Sequence, residues 1–550
     1  MNAHLKDNTL LSVDGLRVSF TSEGGRVTAV EDVSFEVAKG ETLVILGESG
    51  SGKSVSASVI MDILDRPAGQ IEKGRVTLNG ADLLTLPIRQ RRTVNGAKLA
   101  IIFQDPLSYL NPAYTIGWQI TETLRIHGLP AGNRAVELLT RVGIPDPEQR
   151  QHWYPHQLSG GQRQRVMIAM ALALSPDLLI ADEPTTALDV TVQRQILDLL
   201  KELQAETGMA ILMITHDLSV AARMADRVIV MRQGRVIETG RLQDVAAAPK
   251  HPYTRELLSA IPRLETVRRA AKTDTAAKPF LEVQGLCKDY ELSGAVFGKG
   301  NALRALDNVS LTLAPGRTLG VVGESGSGKS TLARVLMRLE SATAGRVLYK
   351  GADALTFKGE PLQAFRRDVQ MVFQDPFGSL NPTMSVERLI CEPLALHPAL
   401  MPKKDWRNRT VELLELVGLE AAHLTRLPHQ FSGGQRQRIA IARALATNPK
   451  LLICDEAVSA LDVSIQAQVI ELLADLRNRL GLALIFITHD LPVVRSLADE
   501  ILVMKQGKVV EAGETEQLFT APAHPYTRDL LTASAIPDWM SQAVRASASL

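Results

Sequence analysis

The sequence predicts an α/β protein made of two copies of one domain, and three observations carry that prediction. Peptide strings recur in the same order along the chain. Each copy sets apolar runs of strand length among helix-like stretches. In each copy a glycine-rich loop follows a buried run and opens a helix. GESGSGKS stands at residues 47–54 and again at 323–330, SGGQRQR at 159–165 and 432–438, ITHDL at 214–218 and 487–491, and HPYTR at 251–255 and 524–528. The last three pairs are each offset by 273 residues and the first by 276, so a few residues of insertion or deletion lie between. A period this long is a domain duplication, not a solenoid.

The elements follow in order. Thr42–Leu46 and Thr318–Val322 read as buried strands running into the glycine loops. Leu178–Asp182 and Ala210–Thr215 read as further buried strands, separated by a helical stretch at 190–206. Continuous apolar strands alternating with helices make a parallel sheet covered on both faces. RVIVMRQGRVIETG at 227–240 reads as a closing hairpin turned by Gln233 and Gly234. The expected boundaries are a first domain at 1–262, a linker at 263–279 carrying Arg268, Arg269 and the polar run 273–275, a second domain at 280–537, and a frayed tail at 538–550.

The bulk properties agree with a large globular chain. At 550 residues it exceeds what one hydrophobic core supports. Lys+Arg 61 against Asp+Glu 60 argues against a broad basic face for nucleic acid. Apolar runs stay far shorter than the roughly 18 residues a membrane span needs, and the N-terminus lacks a signal pattern, so a soluble, cytosolic chain is expected. Cys287, Cys391 and Cys454 form no CxxC pair and read as ordinary buried thiols.

The loops carry the chemistry. Gly47, Glu48, Ser49, Gly50, Ser51 and Gly52 in one copy, and Gly323, Glu324, Ser325, Gly326, Ser327 and Gly328 in the other, let the backbone curl so that successive N–H groups face phosphate oxygens. Lys53 and Lys329 then reach the phosphates of a bound nucleotide, and Ser54 and Ser330 offer hydroxyls to Mg²⁺. A chance match to this pattern has a probability of about 0.02 in a chain of this length. Two matches, each behind a buried run, are not chance. The strands ending at Asp182 and Asp455 present a carboxylate to the metal, and Glu183 and Glu456, next in sequence, are placed to activate a water. Phosphoryl transfer passes through a loose transition state, so positioning and charge suffice.

LSGGQ at 158–162 and FSGGQ at 431–435 resemble the signature of ATP-binding cassette (ABC) ATPases. That resemblance implies two P-loop NTPase domains, each a RecA-like α/β core with an antiparallel β subdomain and a helical signature subdomain. It implies cassettes packed head to tail, each ATP lying between one phosphate loop and the other cassette's Ser159, Gly160, Gly161 and Gln162, or Ser432, Gly433, Gly434 and Gln435. It assigns Gln104 and Gln374 to the glutamine loop that senses Mg²⁺, His216 and His489 to the γ-phosphate switch, and Asp189 and Asp462 to the interface loop. Phe20 and Tyr290 become adenine-stacking residues. Two positions depart from the pattern. Val55 stands where the second copy has Thr331, and Ala457 stands where the first copy has Pro184, which leaves the second carboxylate less rigidly held.

FQDPLSYLNP at 103–112, FQDPFGSLNP at 373–382 and the HPYTR strings resemble the peptide, opine and nickel importer branch, with two ATPase subunits fused. The implied partners are two membrane permeases, docked through a helical segment at about 105–154, and an extracytoplasmic solute-binding protein. The implied place is the cytoplasmic face of the inner membrane, held only through the permeases, with a di- or oligopeptide or a conjugate such as glutathione as cargo. Three scattered cysteines cannot form the C-terminal iron–sulfur cluster of some members, so none is expected. The alternative is a soluble tandem ABC ATPase acting on ribosomes or nucleic acid; the short linker and balanced charge weigh against it.

Overall fold

The computed structural model describes residues 8–22, 25–186, 188–259, 279–291, 302–459, 461–535, 537 and 539–540. The chain forms two compact units, one of Met1–Leu188, Val192–Ile261 and Ile536–Leu550, the other of Asp189–Thr191 and Pro262–Ala535. Residues 263–278 of the expected linker at 263–279 lie outside the described residues.

In the first unit, strands β1 (Thr9–Ser22), β2 (Gly25–Ala38), β4 (Gly69–Leu78) and β5 (Ala81–Asp82) form an antiparallel sheet in the order β2-β1-β4-β5. Strands β3 (Thr42–Leu46), β6 (Leu99–Ile102), β7 (Leu178–Asp182), β8 (Ala210–Thr215), β9 (Arg227–Arg232) and β10 (Arg235–Arg241) form a second sheet in the order β10-β9-β3-β8-β7-β6. This sheet is parallel from β9 through β6, and β10 closes it antiparallel. Gln233 and Gly234 both take positive φ, 48° and 76°, as a two-residue hairpin of matching twist requires.

The parallel strands are apolar through their middles because both faces are covered, with polar residues only at their ends. Val44 and Leu46 face one apolar cluster, with the helices, and Leu43 and Ile45 face another, with the antiparallel sheet. Leu179 and Ala181 against Leu178 and Ile180 repeat that alternation on β7. Between β6 and β7 the chain is helical at Pro106–Tyr109, Ile116–Ile126, Arg134–Arg141, Pro147–Arg150 and Gly160–Ala171. The tail departs from expectation at one point: Met540 is fully buried and Trp539 packs beside it in the helix-side cluster of this unit, because two large apolar side chains there have surface to lose. Residues 541–550 lie outside the description.

The second unit repeats the plan. Strands β11 (Leu281–Glu291), β12 (Ala302–Leu313), β14 (Ala344–Tyr349) and β15 (Ala352–Asp353) pair as β12-β11-β14-β15. Strands β13 (Thr318–Val322), β16 (Val369–Val372), β17 (Leu451–Asp455), β18 (Ala483–Ile487), β19 (Glu500–Lys505) and β20 (Lys508–Glu514) pair as β16-β17-β18-β13-β19-β20. Of the three thiols only Cys454 is fully buried; Cys287 and Cys391 are half-buried, a correction to the expectation of three buried ones. Cys454 sits inside β17, where burial pushes its thiol up to about 12.

Candidate active site

Four adjacent parallel strands each deliver one group at their C-terminal ends. β3 leads to the glycine loop and Lys53, β8 to His216, β7 to Asp182 and Glu183, and β6 to Gln104. In the second unit β13, β18, β17 and β16 do the same for Lys329, His489, Asp455 with Glu456, and Gln374. Residues more than a hundred positions apart thus converge where an open α/β sheet binds its ligands.

The loops need their glycines. Gly47 has φ 154°, and a Cβ there would stand 2.3 Å from the Met231 carbonyl; Gly52, with φ 95°, would meet the Ala29 carbonyl at 2.5 Å. Lys53 Nζ donates to the carbonyls of Gly47 at 2.6 Å and Glu48 at 2.8 Å, and Lys329 makes the matching bonds to Gly323 and Glu324 at 2.7 and 2.8 Å. Both ammonium groups are buried inside their own loops. Burial lowers the Lys329 ammonium pKa, although Glu456 and Asp455 oppose the shift. The buried Ser51 hydroxyl has no partner among the described residues.

Beside each lysine lies an oxygen pair. The Ser54 hydroxyl donates to Asp182 Oδ1 at 3.0 Å, and that of Ser330 to Asp455 Oδ1 at 3.1 Å. Burial first, then the neighbouring Glu183, pushes the Asp182 carboxyl up to about 6 against its Ser54 bond. Glu183 moves the other way. Burial pushes it up, but the His216 hydrogen bond and charge, then Thr186 and Lys53, outweigh that and hold it below the usual carboxylate value. Glu456 is depressed in the same manner by His489. Adjacent carboxyls pushed apart in this way take different roles.

Each glutamate is clamped. Gln104 Nε2 donates to Glu183 Oε2 at 2.7 Å, Thr186 Oγ1 to the same oxygen at 3.0 Å, and His216 Nδ1 lies 3.0 Å from Oε1. The backbone of Glu183 is in the left-handed region, φ 47°, fixed by its N–H bond to the Ile214 carbonyl at 2.8 Å. The second clamp is looser. Gln374 donates to Glu456 Oε2 at 2.6 Å, but His489 stands 3.6 Å away, and Ser459 donates to the Glu456 backbone carbonyl instead of the carboxylate. A cavity of about 410 Å³ opens beside the first set, lined by Ser54, Gln104, Asp182 and the stacked rings of Phe103 and Tyr109, 3.6 Å apart.

The signature strings start helices. Ser159 and Gln162 cap each other reciprocally, Gln162 N–H to Ser159 Oγ at 3.3 Å and Ser159 N–H to Gln162 Oε1 at 3.2 Å; Ser432 and Gln435 repeat the box at 3.4 and 3.1 Å. The second glycine is required by packing: a Cβ on Gly161 would meet Val192 Cγ1 at 2.5 Å, and one on Gly434 would meet Ile465 Cγ2 at 2.3 Å. Gly160 and Gly433 begin the helices, and Asp189 and Asp462 stand directly before the helices Val190–Thr207 and Val463–Leu480.

The two aromatic candidates differ. Phe20 and Val55 pack against the apolar cluster under the antiparallel sheet. The Tyr290 phenol instead donates to Glu340 and lies under the Lys288 ammonium, 4.9 Å from the ring centre. Burial and then Glu340 push that phenol up, while the Thr331 hydroxyl pulls it down. The Val55/Thr331 difference therefore travels with Phe20/Tyr290: one pair is apolar, the other hydrogen-bonded. Thr186, and the phenols of Tyr253 and Tyr526 that accept the Glu48 and Glu324 amides at 3.0 Å, belong to these sites and escaped sequence reasoning.

A glycine loop, an acid-ended strand and a histidine on adjacent parallel strands define a P-loop ATPase, here twice over. The ABC transporter family profile matches residues 30–186 and 306–459, and the oligopeptide/dipeptide transporter C-terminal region matches 237–287 and 510–546. The glutathione import ATP-binding protein GsiA of Salmonella choleraesuis (strain SC-B67) is 44% identical over 566 residues, covering 97% of this chain and 91% of that protein. Its counterpart in Escherichia coli (strain K12) is 45% identical over 561 residues, covering 96% and 90%. Among solved structures, the dimeric post-hydrolysis state of the ATP-binding cassette MJ0796 bound to ADP and Pi is 31% identical, covers 43% of this chain and 98% of that one, and has a TM-score of 0.39. The chain belongs to the ABC transporter ATP-binding family, with the oligopeptide/dipeptide transporter C-terminal region after each cassette. Its activity is ATP hydrolysis coupled to transport. The ribosome-directed alternative has no support in these relatives. Among the described residues no helix is long and apolar enough to cross a membrane.

Proposed function

We propose that this chain is the ATP-hydrolysing subunit of an importer for glutathione or related short peptides. It would work at the cytoplasmic face of the inner membrane with two permeases and a solute-binding protein. The observation that carries this reading is identity of 44% across 97% of the chain to proteins named for glutathione import. The cargo-facing parts are the permeases and binding protein, so this chain supplies energy and timing.

The residues fit MgATP. The glycine cradle would close if it carried Cβ atoms, and Ser54 with Asp182, and Ser330 with Asp455, pair a hydroxyl with a carboxylate that burial leaves short of positive charge. Ser54, Asp182 and the Gln104 carbonyl oxygen would hold Mg²⁺ in one cassette; Ser330, Asp455 and Gln374 would do so in the other. When bound, Mg²⁺ neutralises charge on the phosphate oxygens. Lys53 leaves its loop carbonyls for the β- and γ-phosphates. Glu183, ionised at neutral pH, takes the proton of the attacking water, while His216 orients the carboxylate and meets the γ-phosphate. Lys329, Glu456 and His489 play these parts in the second cassette. Phe20 and Tyr290 would stack on adenine.

The test is uptake. Cells lacking their own glutathione import, given this chain with its permeases and binding protein, should accumulate labelled glutathione. The Lys53→Met/Lys329→Met chain should not support it. Absence of uptake for glutathione and for di- and oligopeptides, with ATPase activity intact, would overturn the cargo assignment.

A further inference from the structure

The HPYTR strings are repeated as faithfully as the phosphate loops, yet the chemistry above makes no use of them. In each unit the string opens a helix, Pro252–Ser259 and Pro525–Ser534, that is pinned at two points. The first pin is a carboxylate on the closing hairpin. Glu238 accepts the amides of Lys250 at 2.9 Å and His251 at 3.1 Å, and Glu511 accepts those of Ala523 at 2.7 Å and His524 at 3.1 Å. The histidine Nδ1 then accepts the tyrosine amide at 3.1 Å in both copies, which turns the first helical residues toward the sheet. The second pin is the phenol. Tyr253 and Tyr526, only 2% and 5% exposed, bring Oη to the N–H of Glu48 and Glu324 at 3.0 Å. A cation covers each ring, Arg232 at 4.6 Å and Lys505 at 4.4 Å from the ring centre.

Residue 48 is therefore a node. Its N–H donates to the Tyr253 phenol, and its carbonyl accepts from Lys53 at 2.8 Å; residue 324 joins Tyr526 to Lys329 in the same way. To reach phosphate, each lysine must release the two loop carbonyls it holds. The tyrosine Oη accepts from the N–H side of the same residue, a bond that does not depend on that move.

We propose that Tyr253 and Tyr526 are positioning residues for ATP. Each holds the second residue of its phosphate loop in place while the lysine transfers to the nucleotide, and ties the HPYTR segment to the state of that loop. This rests on the reading that the loops at 47–54 and 323–330 bind the ATP phosphates. A loop without this tether visits more conformations before binding, and ordering it then weakens affinity, not the chemical step.

The test uses the full chain carrying Tyr253→Phe and Tyr526→Phe, which keep each ring under its cation and remove only the hydroxyl. KM for MgATP should rise about five- to tenfold, as loss of one buried hydrogen bond implies, with kcat within about twofold. In the Glu183→Gln/Glu456→Gln background, the calorimetric Kd for MgATP should rise by the same factor. A strut that merely stabilises the fold would lower the unfolding midpoint without nucleotide and leave KM and Kd unchanged; that result overturns the proposal. Should the double phenylalanine chain fail to fold, the two single variants give the reading, each weakening one of two MgATP affinities. Lys53→Met/Lys329→Met separates the two claims. If it keeps hydrolysis, the phosphate-loop reading fails; if it abolishes hydrolysis while the phenylalanine variants bind normally, only the tether fails.

Discussion

Changing Glu183 to glutamine separates structure from chemistry at this site. The carboxylate meets its partners in a particular division: Gln104 and Thr186 both donate to Oε2, and His216 Nδ1 faces Oε1. A glutamine can reproduce all three contacts. Its carbonyl oxygen accepts from Gln104 and Thr186, and its amide nitrogen donates to the neutral Nδ1 of His216. Glu183→Gln should therefore leave the unfolding midpoint within about 2 °C of wild type, well under 1 kcal/mol for a domain this size. On the proposed role of Glu183 it removes the proton acceptor, worth about 10²–10⁴-fold in rate, or roughly 3–5 kcal/mol of barrier. Glu183→Ala removes the clamp as well, at a cost of roughly 1–3 kcal/mol as partners lose their acceptor. The assay is steady-state ATPase of each variant beside thermal unfolding, with bound nucleotide counted after rapid desalting. Glu183→Gln/Glu456→Gln should retain ATP through the column. The reasoning fails if that chain hydrolyses ATP within tenfold of wild type, or if glutamine destabilises as much as alanine.

Three further outcomes follow from the same coordinates. Gly434→Ala places a Cβ 2.3 Å from Ile465 Cγ2 and should cost about 1–3 kcal/mol in chemical unfolding, most of it recovered in the Gly434→Ala/Ile465→Ala pair. His489 is buried, which lowers its pKa, but Glu456 outweighs burial and raises it above the ordinary histidine value. A histidine raised on folding contributes stability that is fully present below the unfolded value and lost as pH rises through the folded one. The difference in unfolding midpoint between wild type and His489→Gln, measured without nucleotide, should therefore shrink as pH rises above the ordinary histidine value. Cys454, pushed up to about 12 by burial, should resist iodoacetamide at about pH 8 in the native chain and react at once in denaturant, as mass spectrometry of the labelled peptides would report.

How much of this was legible in the sequence depends on how local each cause is. The strands Thr42–Leu46, Leu178–Asp182 and Ala210–Thr215 were readable because burial on both faces writes an unbroken apolar run into the chain. The hairpin at Gln233 and Gly234 was readable because only a few residue types accept two positive φ values in succession. Lys53, Asp182, Glu183 and His216 were readable because each sits at a fixed distance from the end of such a strand. The structure then supplies the parallel order that brings those ends together. What escaped were contacts whose partners share no local pattern. Tyr253 lies 205 residues from the Glu48 amide it receives, and a tyrosine in an HPYTR string carries no mark of that destination. The Thr186 clamp and its counterpart at Ser459 differ by one methyl group, yet only one hydroxyl reaches the carboxylate. The visible Pro184/Ala457 difference pointed at the second glutamate, and the geometry adds a longer histidine contact, 3.6 Å against 3.0 Å, to the missing hydroxyl bond.

These differences bear on how the two cassettes divide their work. Both glutamates share a left-handed backbone, φ 47° and 46°, so the difference lies in the side-chain contacts: three hold the Glu183 carboxylate, while around Glu456 one close donor does most of that. The asymmetry continues at the two aromatic candidates, where Phe20 and Val55 are apolar while Tyr290 is held by Glu340 and covered by Lys288. If adenine stacks at these positions as proposed, it meets Lys288 beside the Tyr290 ring in the second unit and an uncharged aromatic in the first. Both differences act in one direction. On the proposed roles, the more closely held Glu183 is expected to support the faster hydrolysis and Glu456 the slower. Single-turnover hydrolysis should then show unequal residual rates, with Glu183→Gln slowing the faster phase and Glu456→Gln the slower. Equal phases in both single variants would mean that the looser clamp at Glu456 tightens fully once ATP is bound.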